Sequence, residues 1–260
     1  MATSTTIKQT PQSSKAAPAT GQILQQVKFE LLLTARRGEN VLVTLILPVL
    51  LLIFFTSLNI APTTHGKAIN FLLPGILAVA IIAAGMVNLG IATAYERYYG
   101  VLKRLGSSPL PRSGLIIAKI ISILLLEVVQ VIVLVGVAVL LYGWQPAGSV
   151  LLTLLTIALG TVTFASFGLA MAGALRAEAT LAGANALFLV FLLIGGGILP
   201  LEHLPTFLAN IAQVLPAAPL AQALQATMND GTAFPATQLL TLAIWAIIIL
   251  IVAIRTFKWE

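Results

Sequence analysis

Long apolar runs alternate with short polar ones along almost the whole chain. Six runs are long enough to cross a hydrocarbon core of roughly 30 Å, which takes about 20 helical residues. They cover residues 41–60, 70–94, 114–142, 149–175, 179–199 and 236–254. The pattern predicts an all-α integral membrane protein with six transmembrane helices. The third run is longer than a perpendicular crossing needs, so tilt or an interfacial extension is expected. Between the second and third runs, residues 95–105 divide cleanly at 100° per residue. Tyr95, Tyr98, Tyr99, Val101, Leu102 and Leu105 fall on one side, and Glu96, Arg97, Gly100, Lys103 and Arg104 on the other. This predicts one amphipathic helix at the membrane surface, its charged side offered to something outside the lipid. A second, less regular pattern over 22–35 puts Ile23, Leu24, Val27, Leu31 and Ala35 opposite Gln25, Lys28 and the following Arg36, with Phe29 and Leu33 on the polar side. It predicts a surface helix ahead of the first span.

Residues 200–235 are punctuated by Pro200, Pro205, Pro216, Pro219 and Pro235, and their apolar stretch 206–215 is too short to cross. Short helices dipping partway into the membrane from the outer face are expected there. No internal repeat is evident.

Composition agrees with a membrane protein: 59% of residues are apolar and 8% charged, against about 25% charged in soluble domains. The position of the charges adds orientation. With the N-terminus inside, every Lys and Arg but Lys67 lies on the cytoplasmic side, so an N-in, C-in topology follows from the positive-inside rule. The net charge of +6 does not point to nucleic acid, because no soluble basic face exists to track a phosphate backbone. Residues 1–21 lack the apolar core of a signal peptide and are expected to form a disordered cytoplasmic tail. Cysteine is absent, which excludes disulfides and thiol chemistry.

Little in the chain suggests independent catalysis. The Gly66–Lys67 pair is followed by Ala68, with Ala61 where a phosphate loop needs its first Gly. His65 and His203 are far apart in sequence, and no metal site is expected. No catalytic residues are assigned. Glu127 is the sharpest single residue, near the middle of the third run with Gln130 one turn on. A carboxylate there faces protein or water, since facing lipid costs about 2.5–3.5 kcal/mol on insertion scales. Either it lines a pathway or subunit seam, or it is a protonated packing contact bonded to Gln130 or Asn88. Asn88 and Asn185 read as interhelical hydrogen bonds or as pathway contacts. Gly195, Gly196 and Gly197 read as a close-packing site or a helix break.

Several segments together resemble the signature of ABC type-2 transporter permeases. They are Phe71 to Ile76 with Pro74-Gly75, then Glu96-Arg97, Gly100 to Leu105 and Ser108-Pro109-Leu110, and later Leu199-Pro200-Leu201, Leu204-Pro205 and Leu215 to Leu220. Val101 stands where that family often has a small hydroxyl residue. The resemblance covers nearly everything after residue 20. It implies a six-span subunit, residues 22–260, of a bacterial exporter in the inner (plasma) membrane. It further implies a second permease subunit, identical or sister, and two separate ATPase subunits that carry ATP and Mg, so that no cofactor is bound by this chain. Residues 95–105 resemble the coupling helix that docks on the ATPase, which assigns that role to Glu96, Arg97, Gly100, Lys103 and Arg104. Residues 200–235 resemble the reentrant outer pair, with Pro200, Pro205, Pro216 and Pro219 at an outer gate. The cargo implied is an apolar or amphipathic, drug-like compound, or else a lipid or polysaccharide. Two readings of other kinds remain at this point: a non-transporting membrane partner, and an ion-coupled carrier using Glu127.

Overall fold

The computed structural model describes residues 18–36, 38, 42–58, 67–107, 111–230 and 234–259. Residues 1–17 of the expected tail, the expected ends of the first span, His65 and Ser108-Pro109-Leu110 lie outside them. Among the described residues every regular element is helical. In chain order these are α1 (Ala19–Arg36), α2 (Leu47–Ser57), α3 (Ala68–Tyr98), α4 (Val101–Gly106), α5 (Arg112–Tyr142), α6 (Val150–Ala174), α7 (Ala177–Ile194), α8 (Thr206–Val214), α9 (Ala217–Gln225) and α10 (Ala236–Thr256).

Five of them, α3, α5, α6, α7 and α10, are long and apolar enough to cross a membrane. This is an all-α integral membrane protein. The first predicted span is shorter over the described residues, a π-helical turn at Leu42–Ile46 running into α2. The fifth span ends at Ile194, short of the expected 199, because the three glycines interrupt it. Gly196 takes a left-handed backbone (φ 69°), and Gly197 lies so near Gly75 that a Cβ on Gly75 would stand 1.8 Å from the Gly197 carbonyl oxygen. Break and close contact therefore occur together. α8 and α9 form the short pair expected between the last two spans, bent by 85°. α1 begins at Ala19, so residues 19–21, expected in the tail, are helical.

α3 is the centre of the bundle. Across its most apolar window 83% of residues are buried, against 22% for α7 and for α10. Its approach to α6 is too close for side chains: a Cβ on Gly168 would meet the Gly85 carbonyl at 2.6 Å, and one on Gly90 would meet Gly168 Cα at 2.8 Å. Small residues let helix backbones touch in this way inside a membrane. α3 also contains Pro74, whose missing N–H leaves the carbonyl of Asn70 without its intrahelical donor. Asn229, in the π-helical turn after α9, supplies one: its Nδ2 donates to Asn70 O at 2.6 Å. The short bent pair is thus joined to the central helix at the bond the proline removed.

Candidate functional site

α3 ends because Gly100 adopts a left-handed conformation (φ 72°), which glycine enters without a Cβ penalty. Tyr99 N donates to Tyr95 O and Gly100 N to Arg97 O, closing the helix end. The single amphipathic helix expected over 95–105 is therefore two pieces, the last turn of α3 and the separate helix α4. Gly100 faces open space, with nothing within 4 Å of a Cβ built there. Its role is to reverse the chain.

The break re-sorts the side chains. Leu102 is buried and Leu105 half-buried in a core shared with Leu89 of α3, Leu115 and Ile116 of α5, and Phe257 beyond α10. Trp259 packs against Gly106. Tyr98, Tyr99 and Val101, expected on the apolar side, are exposed on the chain's own surface. Lys103 and Arg104 are exposed, as the pattern requires.

Glu96 and Arg97 depart from the expected docking arc, because both are committed within the chain. Arg97 donates from Nη1 to Gly173 O at 2.8 Å and from Nη2 to Leu175 O. It thereby satisfies carbonyls at the C-terminal end of α6, where a cation is also favoured by the helix dipole. Glu96 turns inward, and its Oε2 accepts from Lys119 Nζ at 2.8 Å. Lys119, buried in α5, is also 3.0 Å from Glu30 Oε1 of α1, and Gln26 Nε2 donates to the same oxygen at 2.9 Å. Neither Lys119, which enters the apolar pattern only as a charge for orientation, nor Glu30 stands out as a candidate in sequence, although a lysine in the second turn of a long apolar helix is itself a signal that carboxylates wait nearby. A cavity of about 50 Å³ adjoins the cluster, bordered also by Thr34, Asn88 and Ser122.

Deeper in the bundle, Glu127 is fully buried. Its partner is neither Gln130 nor Asn88. Glu127 Oε2 is hydrogen-bonded to Thr161 Oγ1 of α6, and Glu127 Oε1 has no hydrogen-bond partner. Gln130 Nε2 instead donates to Thr44 O at 2.5 Å and Asn88 Nδ2 to Thr44 Oγ1 at 3.3 Å, so these two tie α5 and α3 to the turn before α2. Asn88 closes the π-helical turn Ala83–Asn88 of α3. Asn185 is exposed on α7 and donates to its own helix, at Leu181 O, 2.8 Å. The polar candidates do not converge on one site. Of the prolines, Pro216 and Pro219 are buried, Pro200 half-buried and Pro205 exposed. Among the described residues no three His, Asp or Glu side chains are grouped to hold a metal ion.

Comparison with known proteins follows the same lines. The family model described as ABC-2 type transporter matches residues 21–229. Two similar proteins of Escherichia coli are the probable multidrug ABC transporter permease YbhR, 24% identical over 56% of this chain and 40% of its own length, and the probable multidrug ABC transporter permease YbhS, 23% identical over 62% and 44%. The putative transport permease YvfS of Bacillus subtilis is 27% identical over 70% of this chain and 75% of its own length. The chain thus matches less than half the length of the two E. coli relatives.

Proposed function

We propose a function on the ground that the chain belongs to the ABC-2 type transporter family. It is a multi-pass membrane component of a transporter, and we read it as the permease subunit of an ATP-driven exporter in the inner membrane. In this reading ATP and Mg bind two separate ATPase subunits, a second permease subunit completes the pathway, and N- and C-termini face the cytoplasm. The cargo is an apolar or amphipathic drug-like compound, a class supported by the names of the two E. coli relatives.

The observation that carries the reading is the geometry of α4. It is a short helix whose Leu102 is sunk in a core formed by several helices while Lys103 and Arg104 stand at the surface. A rigidly seated basic ridge suits contact with a separate protein better than a solvated loop, which needs no buried anchor. The docking set narrows accordingly to Lys103 and Arg104, with Gly100 shaping the approach and Glu96 and Arg97 supporting from behind. Co-purification with the ATPase tests this. Arg104→Glu is expected to lose ATPase association at least about tenfold, since like charges at a contact cost several kcal/mol, with folded yield unchanged. Normal association would refute docking through α4.

A further inference from the structure

The Glu30–Lys119–Glu96 cluster has no part in the exposed ridge, and packing alone explains it poorly. Lys119 is 1% exposed, and its two carboxylate partners are 10% and 12% exposed. Buried ion groups of this kind are often no more stable than apolar residues of the same volume. They do fix geometry, because the partners tolerate little displacement once desolvated. Here each member belongs to a different helix: Glu30 to α1, Glu96 to the last turn of α3, Lys119 to α5. Glu96 stands four residues before Gly100, and its neighbour Arg97 holds the end of α6. The cluster therefore sits where any displacement of α4 enters the bundle.

We propose that Lys119 is a positioning residue of the coupling machinery, clasping α1 and the end of α3 to α5 so that a push on α4 moves the three helices as one body. The inference rests on the reading of α4 as the ATPase contact. Without the clasp, α4 moves while α1 lags, and ATP is hydrolysed with less transport per turnover.

The test uses the full permease–ATPase complex with spin labels on cysteines at Lys28 of α1 and Ser107 after α4, both exposed. The chain has no cysteine of its own. The label-to-label distance is measured without nucleotide and with ATP bound. Lys119→Met alone leaves two buried carboxylates unpaired and threatens folding. The informative variant is the neutral triple Glu30→Gln, Lys119→Met, Glu96→Gln, with the inverted triple Glu30→Lys, Lys119→Glu, Glu96→Lys beside it. Expected is one distance in both states for the native chain, and a change of about 2 Å or more on ATP binding in the neutral triple, the scale of helix shifts in switching proteins. The thermal midpoint of the neutral triple should stay native-like, and the inverted triple should restore the constant distance. A purely structural cluster would move the midpoint and not the distance. A neutral triple whose distance stays constant overturns the clasp, as does a native chain whose distance changes. Failure of the native chain to assemble with an ATPase instead defeats the docking reading beneath it, so the two failures are distinct.

Discussion

Arg97 and Arg104 lie seven residues apart in one basic island, yet their surroundings give them opposite work. Arg104 faces outward, whereas Arg97 satisfies two carbonyls at the end of α6. Charge reversal separates the roles. Arg97→Glu should lower folded yield and thermal midpoint, since charge-assisted hydrogen bonds worth about 1.5–3 kcal/mol of stability are lost, whereas Arg104→Glu should leave both intact and affect only the complex. Glu127 allows a second separation. Thr161 has a single hydroxyl proton and two acceptors in reach, Ile157 O and Glu127 Oε2. Glutamine at 127 brings a donor for the Thr161 oxygen, so Glu127→Gln should fold at least as well and transport normally. Selective loss of cationic cargo in that variant would instead support the pathway reading of Glu127. The sequence exposed these residues by type and not by partner: midplane cost singles out Glu127, but Thr161 is 34 positions away. Glu96 likewise reads as surface charge until Lys119 and Glu30 are folded around it.

Among elements, the spans were legible because hydrocarbon thickness sets their length and turn signals set their ends. α5, α6 and α10 begin and end within two residues of their apolar runs. The break at Gly100 was not legible, since a helical wheel assumes the helix continues and both halves fit the same arc. Gly100→Ala tests its weight. Forcing a Cβ into the left-handed region costs about 1–2 kcal/mol, and with open space around it the substitution should lower stability by about that amount without a clash. The thermal midpoint of the purified variant is the measurement, and a larger loss would mean that α4 had left its seat. The link between α9 and α3 was hidden for a different reason. Pro74 announces an orphaned carbonyl at Asn70, but nothing in the sequence says that a side chain 159 residues later fills it. Asn229→Leu should destabilise by about 1 kcal/mol, the low end of the penalty for an unsatisfied acceptor, since Asn70 is only part-buried.

For the molecule as a whole, the one-sided placement of Lys and Arg sets a direct expectation. Cysteine at Ser107 should resist an impermeant thiol reagent in intact cells, while cysteine at the exposed Glu202 should react. Labelling at Ser107 would reverse the topology that the Lys and Arg asymmetry supports. The contacts at Gly75, Gly85, Gly90 and Gly168 have a consequence of another kind, for what a genetic screen would report. At each of these positions the smallest possible addition, one methyl group, would reach within 3 Å of a neighbouring backbone atom, so almost every codon change is a folding defect. At the exposed Arg104, by contrast, most replacements are expected to leave the fold whole. A library scored only for lost function would therefore rank these packing glycines above the residues proposed to meet the ATPase. Its map would outline where backbones touch long before it marked any surface that receives a partner.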